Sequence, residues 1–365
     1  IYSLFGHTAI RYENLTRGTD VVFNYGIFNF DSPNFVLRFA LGETDYRLGI
    51  TRMNYFEWDY QQMGRDVRQQ TLNLRQAEKE RLVQLLEENY LPENRVYRYN
   101  FFYDNCATRP RDMIERAVDG RVRYADDMDI PTDESFRSII YRYTRDHKWG
   151  RLGIDFCLGS LADRPITRRE MMFVPFYVHD YFATAQIADD DGTLRPLVSS
   201  DDVIVETHRP DNKTWLRQFT TPNKMAWLLF LLVTGFTLWG LWRKRSFWAL
   251  DMLLFGMAGI AGCLIAFLVF FSQHPTVNPN YLLIVFQPLH LLLLPWVLVR
   301  VRKRRRSRYL LANCAILTLF MLLWPFIPQN FNAAILPLAA CLWMRSVNNL
   351  AVILQTRATT PTRRR

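Results

Sequence analysis

Phe101-Phe102-Tyr103-Asp104-Asn105-Cys106-Ala107-Thr108-Arg109-Pro110 joins an aromatic run to the start of a helix. Tyr97, Tyr99, Phe101 and Tyr103 fall at every second position, the period of a strand with one buried face. Asn105 is a favoured N-cap residue, and Pro110 is tolerated in a first helical turn. Ile114, Ala117 and Val118 extend an apolar face, and Gly120 stands where a helix would stop. This pattern predicts Cys106 at a helix N-terminus, on a strand-to-helix corner. There the helix dipole and unpaired backbone N–H groups favour thiolate over thiol, and the corner exposes the sulfur to a substrate. The competing expectation for a free cysteine is a small buried hydrophobe.

The 365 residues carry a formal net charge of +10 and a mean hydropathy of −0.10, and the length allows two domains. That average conceals a split. Up to about Pro222 the sequence is mixed, polar and aromatic; beyond it, long apolar runs alternate with short polar loops and arginine clusters. Much of the positive excess lies between and after those runs, so the charge reads as membrane topology and not as nucleic-acid binding. Of the five cysteines, Cys263, Cys314 and Cys341 lie inside apolar runs, which excludes a disulfide scaffold. A Cys106–Cys157 bridge would consume the candidate nucleophile. The chain opens at Ile1 in strand-like sequence without an initiator methionine, so a secretion signal and a first segment are expected upstream.

Tyr2 to Tyr12 reads as a strand carrying Gly6 and His7, and Val21 to Phe30 as a second strand, joined into a hairpin by the turn-rich Asn14 to Asp20. Gly6 and Gly26 interrupt strand pattern, as at a bulge or a close backbone approach. Phe35 to Gly49 suits a short helix and then a strand. Tyr55, Phe56, Trp58 and Tyr60 form an aromatic cluster of core type. Asn73 to Tyr90 is an amphipathic helix, with Leu74, Ala77, Leu82, Leu85 and Leu86 opposite a glutamate-rich face. Helices are also expected over Asp133–Arg145 and Met171–Ile187, a glycine-rich loop over Trp149–Pro165 and a last strand over Leu197–Val205.

Five apolar runs follow, at Met225–Trp242, Trp248–Ser272, Tyr281–Val301, Tyr309–Ile327 and Asn332–Leu354, each near the ~20 residues that cross a bilayer. Arg243-Lys244-Arg245, the arginines from Arg300 to Arg308 and the terminal Arg357 to Arg365 alternate with two loops, Gln273–Asn280 and Pro328–Phe331, that carry neither lysine nor arginine. The positive-inside rule then puts the C-terminus in the cytoplasm and residues 1–222 on the opposite side. Arg345, inside the fifth run, either snorkels toward the cytoplasm or faces a polar cavity.

Cys106 needs a base, and the polar part offers His7, His147, His179 and His208. His7, beside Gly6 on an early strand, can project toward a facing helix. His147 reads as solvated, His179 as packed on an aromatic helix, and His208 lies in the linker. The stretches Phe5-Gly6-His7-Thr8-Ala9-Ile10-Arg11, Phe23-Asn24-Tyr25-Gly26-Ile27-Phe28 and Tyr99 to Arg109 together resemble the periplasmic domain of Lnb-type lipoprotein N-acyltransferases. That domain is similar to circularly permuted papain-like enzymes, including lecithin:retinol acyltransferase, in which the base histidine precedes the nucleophile as His7 precedes Cys106. The resemblance extends over the whole chain, including the C-terminal spans. It implies an α+β fold class: a permuted papain-like cysteine domain followed by a five-helix transmembrane domain. The boundaries are 1–206 for the periplasmic catalytic domain, 207–224 for a linker, 225–354 for the spans and 355–365 for a basic cytoplasmic tail, in a bacterial inner membrane.

Such families orient the imidazole with a third polar residue. Strand alternation lets only one of Asn24 and Tyr25 face His7. Asn24 is preferred because its carbonyl can accept the ring N–H, with Tyr25 the alternative; neither is the second histidine of the retinol-type relatives. Arg109 is a candidate to hold a lipid phosphate or to pair structurally with Asp112. Asp155, Asp163 and Arg164 belong to a lid or to a plain connector, and His274 to an outer loop near lipid headgroups. No metal set emerges, since the histidines are scattered and no Cys-x-x-Cys occurs. The resemblance implies acyl transfer from a phospholipid donor, through a Cys106 thioester and without a soluble cofactor, to the N-terminal amine of a diacylated lipoprotein. A hydrolase acting on cell wall or phospholipid, and a non-enzymatic envelope receptor with an inert Cys106, are the rival expectations.

Overall fold

The computed structural model describes residues 2–28, 33–207, 219–245, 247–303 and 305–358. Asn29 and Phe30 of the second expected strand, most of the expected linker with His208, and the tail beyond Ala358 lie outside the described residues. The chain divides into two compact units, 1–143 with 165–212 and 144–164 with 213–365.

The first unit is α+β. A 3₁₀ turn at Tyr2–Phe5 leads into β1 (Ala9–Asn14) and β2 (Thr19–Ile27), followed by α1 (Phe35–Leu41), β3 (Asp45–Arg52), α2 (Met53–Gln62), β4 (Val67–Leu72), α3 (Gln76–Tyr90), β5 (Val96–Arg98), α4 (Thr108–Ala117), β6 (Val122–Arg123) and α5 (Phe136–Tyr143). After the excursion into the second unit come α7 (Arg168–Met171), α8 (Pro175–Thr184), β7 (Gln186–Ala188), β8 (Leu194–Pro196) and β9 (Val198–Val205), α6 (Lys148–Cys157) being the excursion itself. The main sheet runs β1-β2-β3-β5, antiparallel throughout, beside a β4-β9 pair and a small β6-β7-β8 sheet. One face of the main sheet, with Ile10, Phe23, Tyr25, Tyr46 and Leu48, packs on Leu82, Leu85 and Leu86 of α3 and on Met113, Ile114 and Ala117 of α4. Alternation puts these residues on one side and leaves the opposite side for other work. At the head of α3, the Glu78 carboxylate accepts the Arg75 N–H (2.8 Å) and ion-pairs with Arg195 (2.5 Å) and Arg121 (3.3 Å).

Several elements depart from the sequence reading. The strand expected through Tyr103 stops at Arg98. Asn100 and Asp104 exchange backbone hydrogen bonds, and Asn100 Oδ1 accepts from the Phe102 and Tyr103 N–H groups (3.1 and 3.2 Å), so an asparagine side chain captures the backbone that a ladder would need. His7 precedes β1 instead of lying on a strand. The helix expected over Met171–Ile187 is divided by Pro175, which cannot donate within a helix. Trp149–Pro165 is not a loop: it forms α6 and a 3₁₀ turn at Ser160–Asp163, and its residues up to Arg164 cluster with the second unit. The apolar spacing of Leu152 and Phe156 overrides the glycines, and both side chains pack on the membrane-helix core. Asp155 is 2% exposed and accepts from Asn332 Nδ2 (2.8 Å), and Asp163 accepts from Asn330 Nδ2 (2.9 Å). These carboxylates anchor the segment to the membrane unit and do not form a lid.

The second unit continues with α9 (Pro222–Trp242), α10 (Trp248–Phe271), a 3₁₀ turn (Tyr281–Ile284), α11 (Leu289–Leu292), α12 (Leu294–Arg302), α13 (Arg308–Leu323) and α14 (Ile335–Ala358). Four helices are long and apolar enough to cross a membrane, and a fifth exists if the pair Tyr281–Leu292 and Leu294–Arg302, bent by 72°, is one span. The third expected span is therefore broken, at a place where Pro288 and Pro295 each remove a helical donor. Its backbone presses on α10: a Cβ at Gly262 would lie 2.6 Å from the Phe286 carbonyl oxygen, and one at Gly259 2.4 Å from the Leu291 nitrogen. Small residues of this kind let helices in lipid approach closely. Arg345 does not snorkel. It is fully buried in an ion pair with Asp251 (2.7 Å), joined by Thr237 (3.1 Å), and Asn349 also donates to Asp251 (3.1 Å).

Gly262→Val should destabilise the membrane unit by about 1–3 kcal/mol, the usual cost of overpacking a close contact. Thermal unfolding in detergent checks it, with Gly235→Val as control, since a Cβ at Gly235 meets nothing within 4 Å. Equal midpoints for the two variants would refute the close packing of the broken span.

Candidate active site

His7, Asn24 and Cys106 converge at one end of the main sheet. In the β1–β2 register Ala9 lies opposite Asn24, so His7, two residues before Ala9, falls as a diagonal neighbour of Asn24. Asn24 Oδ1 is hydrogen-bonded to His7 Nε2. Tyr25 faces the other way, as alternation requires: it is fully buried and its hydroxyl donates to Asn89 Oδ1 at 2.7 Å. The ladder to β3 slips between Asn24 and Ile27, a bulge of the kind that re-aims side chains beside active sites. Gly26 sits in it at φ 85°, where a Cβ would come within 3.4 Å of Cys106 Cβ. Glycine thus meets a backbone conformation that other residues oppose.

Cys106 is set by its neighbour. Asn105, 2% exposed, donates to the Phe101 and Phe173 carbonyls (2.6 and 2.8 Å) and accepts the Ala107 and Thr108 N–H groups (2.8 and 2.9 Å). It caps α4 from two residues farther out than a normal N-cap, and Cys106 lies in the turn so formed. Two N–H groups expected to be open at the helix start are thereby occupied. The Arg109 guanidinium is bidentate to Asp104 (2.6 and 2.7 Å) and lies 3.5 Å from the Tyr97 ring centroid. Its partner is Asp104, not Asp112, which pairs instead with Arg111 and Arg169. This clamp closes the loop on the upstream side of the cysteine.

Sulfur and imidazole lie close enough that each shifts the protonation of the other. With Nε2 committed to Asn24, Nδ1 is the ring nitrogen left for the sulfur. Desolvation alone pushes the Cys106 thiol up, but the His7 charge and hydrogen bonds from His7, the Thr8 N–H and the Tyr99 hydroxyl overcome it and hold the thiol below its ordinary value. Desolvation likewise pulls His7 down, and the Cys106 charge with the Cys106 and Asn24 hydrogen bonds raises it above the ordinary imidazole value. The two shifts run in the direction of a thiolate–imidazolium pair. Both residues keep some exposed surface.

Sequence reading missed Tyr99 and the Thr8 N–H as sulfur ligands. Tyr99 carried only a strand-face signal, and a main-chain donor carries none. Burial and the Cys106 charge push the Tyr99 hydroxyl well above its ordinary value, which keeps it a neutral donor. The other histidines lie elsewhere: His147 is exposed at the head of α6, His179 pairs with Asp180 (3.1 Å), and His274 sits in the loop after α10. Cys106 and Cys157 are both free thiols.

Comparison with family models matches residues 1–142 to the Lnb N-terminal periplasmic domain and residues 213–357 to the Lnb transmembrane domain. Searches of curated proteins and of solved structures returned no match. With a periplasmic domain that carries the Cys106–His7–Asn24 constellation and a transmembrane domain, both of one family, the chain belongs to the Lnb family of membrane-bound, lipoprotein-modifying enzymes.

Proposed function

We propose that this protein is an N-acyltransferase that moves an acyl chain from phospholipid to the N-terminal amine of diacylated lipoproteins, through a thioester on Cys106. The convergence of Cys106, His7 and Asn24, with Asn24 hydrogen-bonded to the imidazole and the cysteine and histidine shifted toward charge by each other, carries the reading. The Cys106 thiolate attacks an ester carbonyl of the phospholipid. The Thr8 N–H and Tyr99 hydroxyl, which face the sulfur, are the donors placed to steady charge beside the carbon under attack. The tetrahedral adduct collapses, His7 gives its proton to the departing glycerol oxygen, and lysophospholipid leaves. The lipoprotein amine then attacks the thioester, and His7 accepts a proton from that amine. An amide forms and the thiolate–imidazolium pair is restored. Asn24 holds the ring in the tautomer and orientation that both proton transfers need.

A membrane domain suits two substrates that are both anchored in a bilayer. The arginine clusters that alternate along the spans support a C-terminus in the cytoplasm of a bacterial inner membrane, with the site on the periplasmic side.

Purified protein given acyl-labelled phospholipid and a diacylated lipopeptide should yield label as amide on the peptide. Cys106→Ala should abolish transfer while the protein still folds and inserts, and His7→Ala should lower it by about 10²–10⁴-fold. Label recovered only as free fatty acid would establish a hydrolase instead. The pH dependence tests the pair itself. A thiol held low stays thiolate as pH falls below the ~8.5 of a free cysteine. Wild-type Cys106 should therefore keep a high rate of iodoacetamide alkylation below that pH. In His7→Ala the attraction is lost and desolvation remains, so the profile should move up to or above the free-cysteine range. Superimposable profiles would refute the ion pair.

A further inference from the structure

Helix α1, Phe35-Val36-Leu37-Arg38-Phe39-Ala40-Leu41, has no buried residue although only Arg38 is polar. Val36 is 79% exposed, and Leu37 and Phe39 are 51% exposed each. An apolar helix belongs in a protein core or against lipid, and α1 is not in the core. Ring contacts lead from it to the sulfur. Phe39 stacks on Phe35 and Phe35 on Phe28, with centroids 6.1 and 5.8 Å apart. Phe28 packs on Tyr46 (5.1 Å), Tyr46 on Tyr99 (4.1 Å), and the Tyr99 hydroxyl lies beside Cys106.

Charge on the flank complements a phosphate. Arg38 and Arg98 share the Asp45 carboxylate (2.8 and 2.9 Å), while Arg47, two residues along β3, is exposed and forms no ion pair among the described residues. Exposed apolar side chains beside a spare guanidinium match the two ends of a phospholipid, as on helices that lie in a membrane interface.

We propose that α1 is a lipid-entry helix: Val36, Leu37 and Phe39 seat among the acyl chains of membrane phospholipid, Arg47 meets its phosphate, and the Phe35–Phe28–Tyr46–Tyr99 series guides one chain to Cys106. Lipid seating on α1 stands on its exposure and flanking charge; delivery to Cys106 rests on the acyltransferase reading.

The test uses the full chain in phosphatidylethanolamine–phosphatidylglycerol vesicles doped with phospholipid bearing a diazirine near the end of one acyl chain. Irradiation and peptide mass spectrometry should find adducts within residues 35–41 as well as on the membrane helices. The triple variant Val36→Ser, Leu37→Ser, Phe39→Ser should lose those adducts and slow acyl transfer from vesicle phospholipid by about tenfold or more. Its Cys106 alkylation by iodoacetamide, which needs no lipid, should be unchanged. Arg47→Glu, outside the helix, should slow transfer by itself and serves if the triple variant does not fold. An α1 free of adducts with the triple variant at wild-type rate would overturn the proposal, as would an adduct-free α1 in a dimer that the triple variant dissolves. Adducts on α1 in a wild-type protein that transfers no acyl group would uphold lipid seating and refute the acyltransferase reading.

Discussion

Cys106 and His7 share one largely desolvated spot, and the thiolate–imidazolium pair proposed there persists only if both charges are also hydrogen-bonded. The Thr8 N–H and the Tyr99 hydroxyl favour the charged sulfur, and the ring has Asn24 Oδ1. These groups come from the approach to β1, from β2, from the residue after β5 and from the turn before α4. The hairpin register, the bulge at Gly26 and the unusual cap made by Asn105 are the means by which distant parts of the chain meet around one proton. Removing a partner would leave a charge in place without its compensation, so the site is sensitive to residues that never touch a substrate.

The scaffold divides the labour by strand face. Phe23 and Tyr25 of β2 enter the core under α3 and α4, and Asn24 between them turns to the histidine. The Arg109–Asp104 clamp over Tyr97 fixes the loop from the other side. In the second unit the same economy appears in lipid-facing terms. Asp251 and Arg345 cancel each other inside the helices, and glycines on α10 admit the backbone of a broken span.

Much of this was legible in the residues, for identifiable reasons. Period-2 alternation around Asn24 and Tyr25 marked two faces, and the choice of Asn24 followed from its acceptor oxygen. Arginine clusters and apolar runs announced the membrane helices because a bilayer penalises charge so strongly. What escaped depended on tertiary contact. Tyr99 read as one of four alternating aromatics until the chain turned at Asn100. Arg109 pairs with Asp104 because the turn folds that carboxylate back, whereas helical spacing had suggested Asp112. The helix at Lys148–Cys157 was hidden by glycines, and its stability comes from packing on membrane helices that local sequence does not reveal. Asp251 drew no notice because its partner lies on another helix, 94 residues away in sequence.

A covalent intermediate is the most direct signature of the proposed chemistry. Incubating the full-length protein with phospholipid but no acceptor, then mapping peptides by mass spectrometry, reads that intermediate. A hydroxylamine-labile acyl mass on the peptide carrying Cys106 is expected. Phospholipid consumed while Cys106 stays unmodified, or an acyl group found only on another residue, would contradict covalent catalysis at this sulfur.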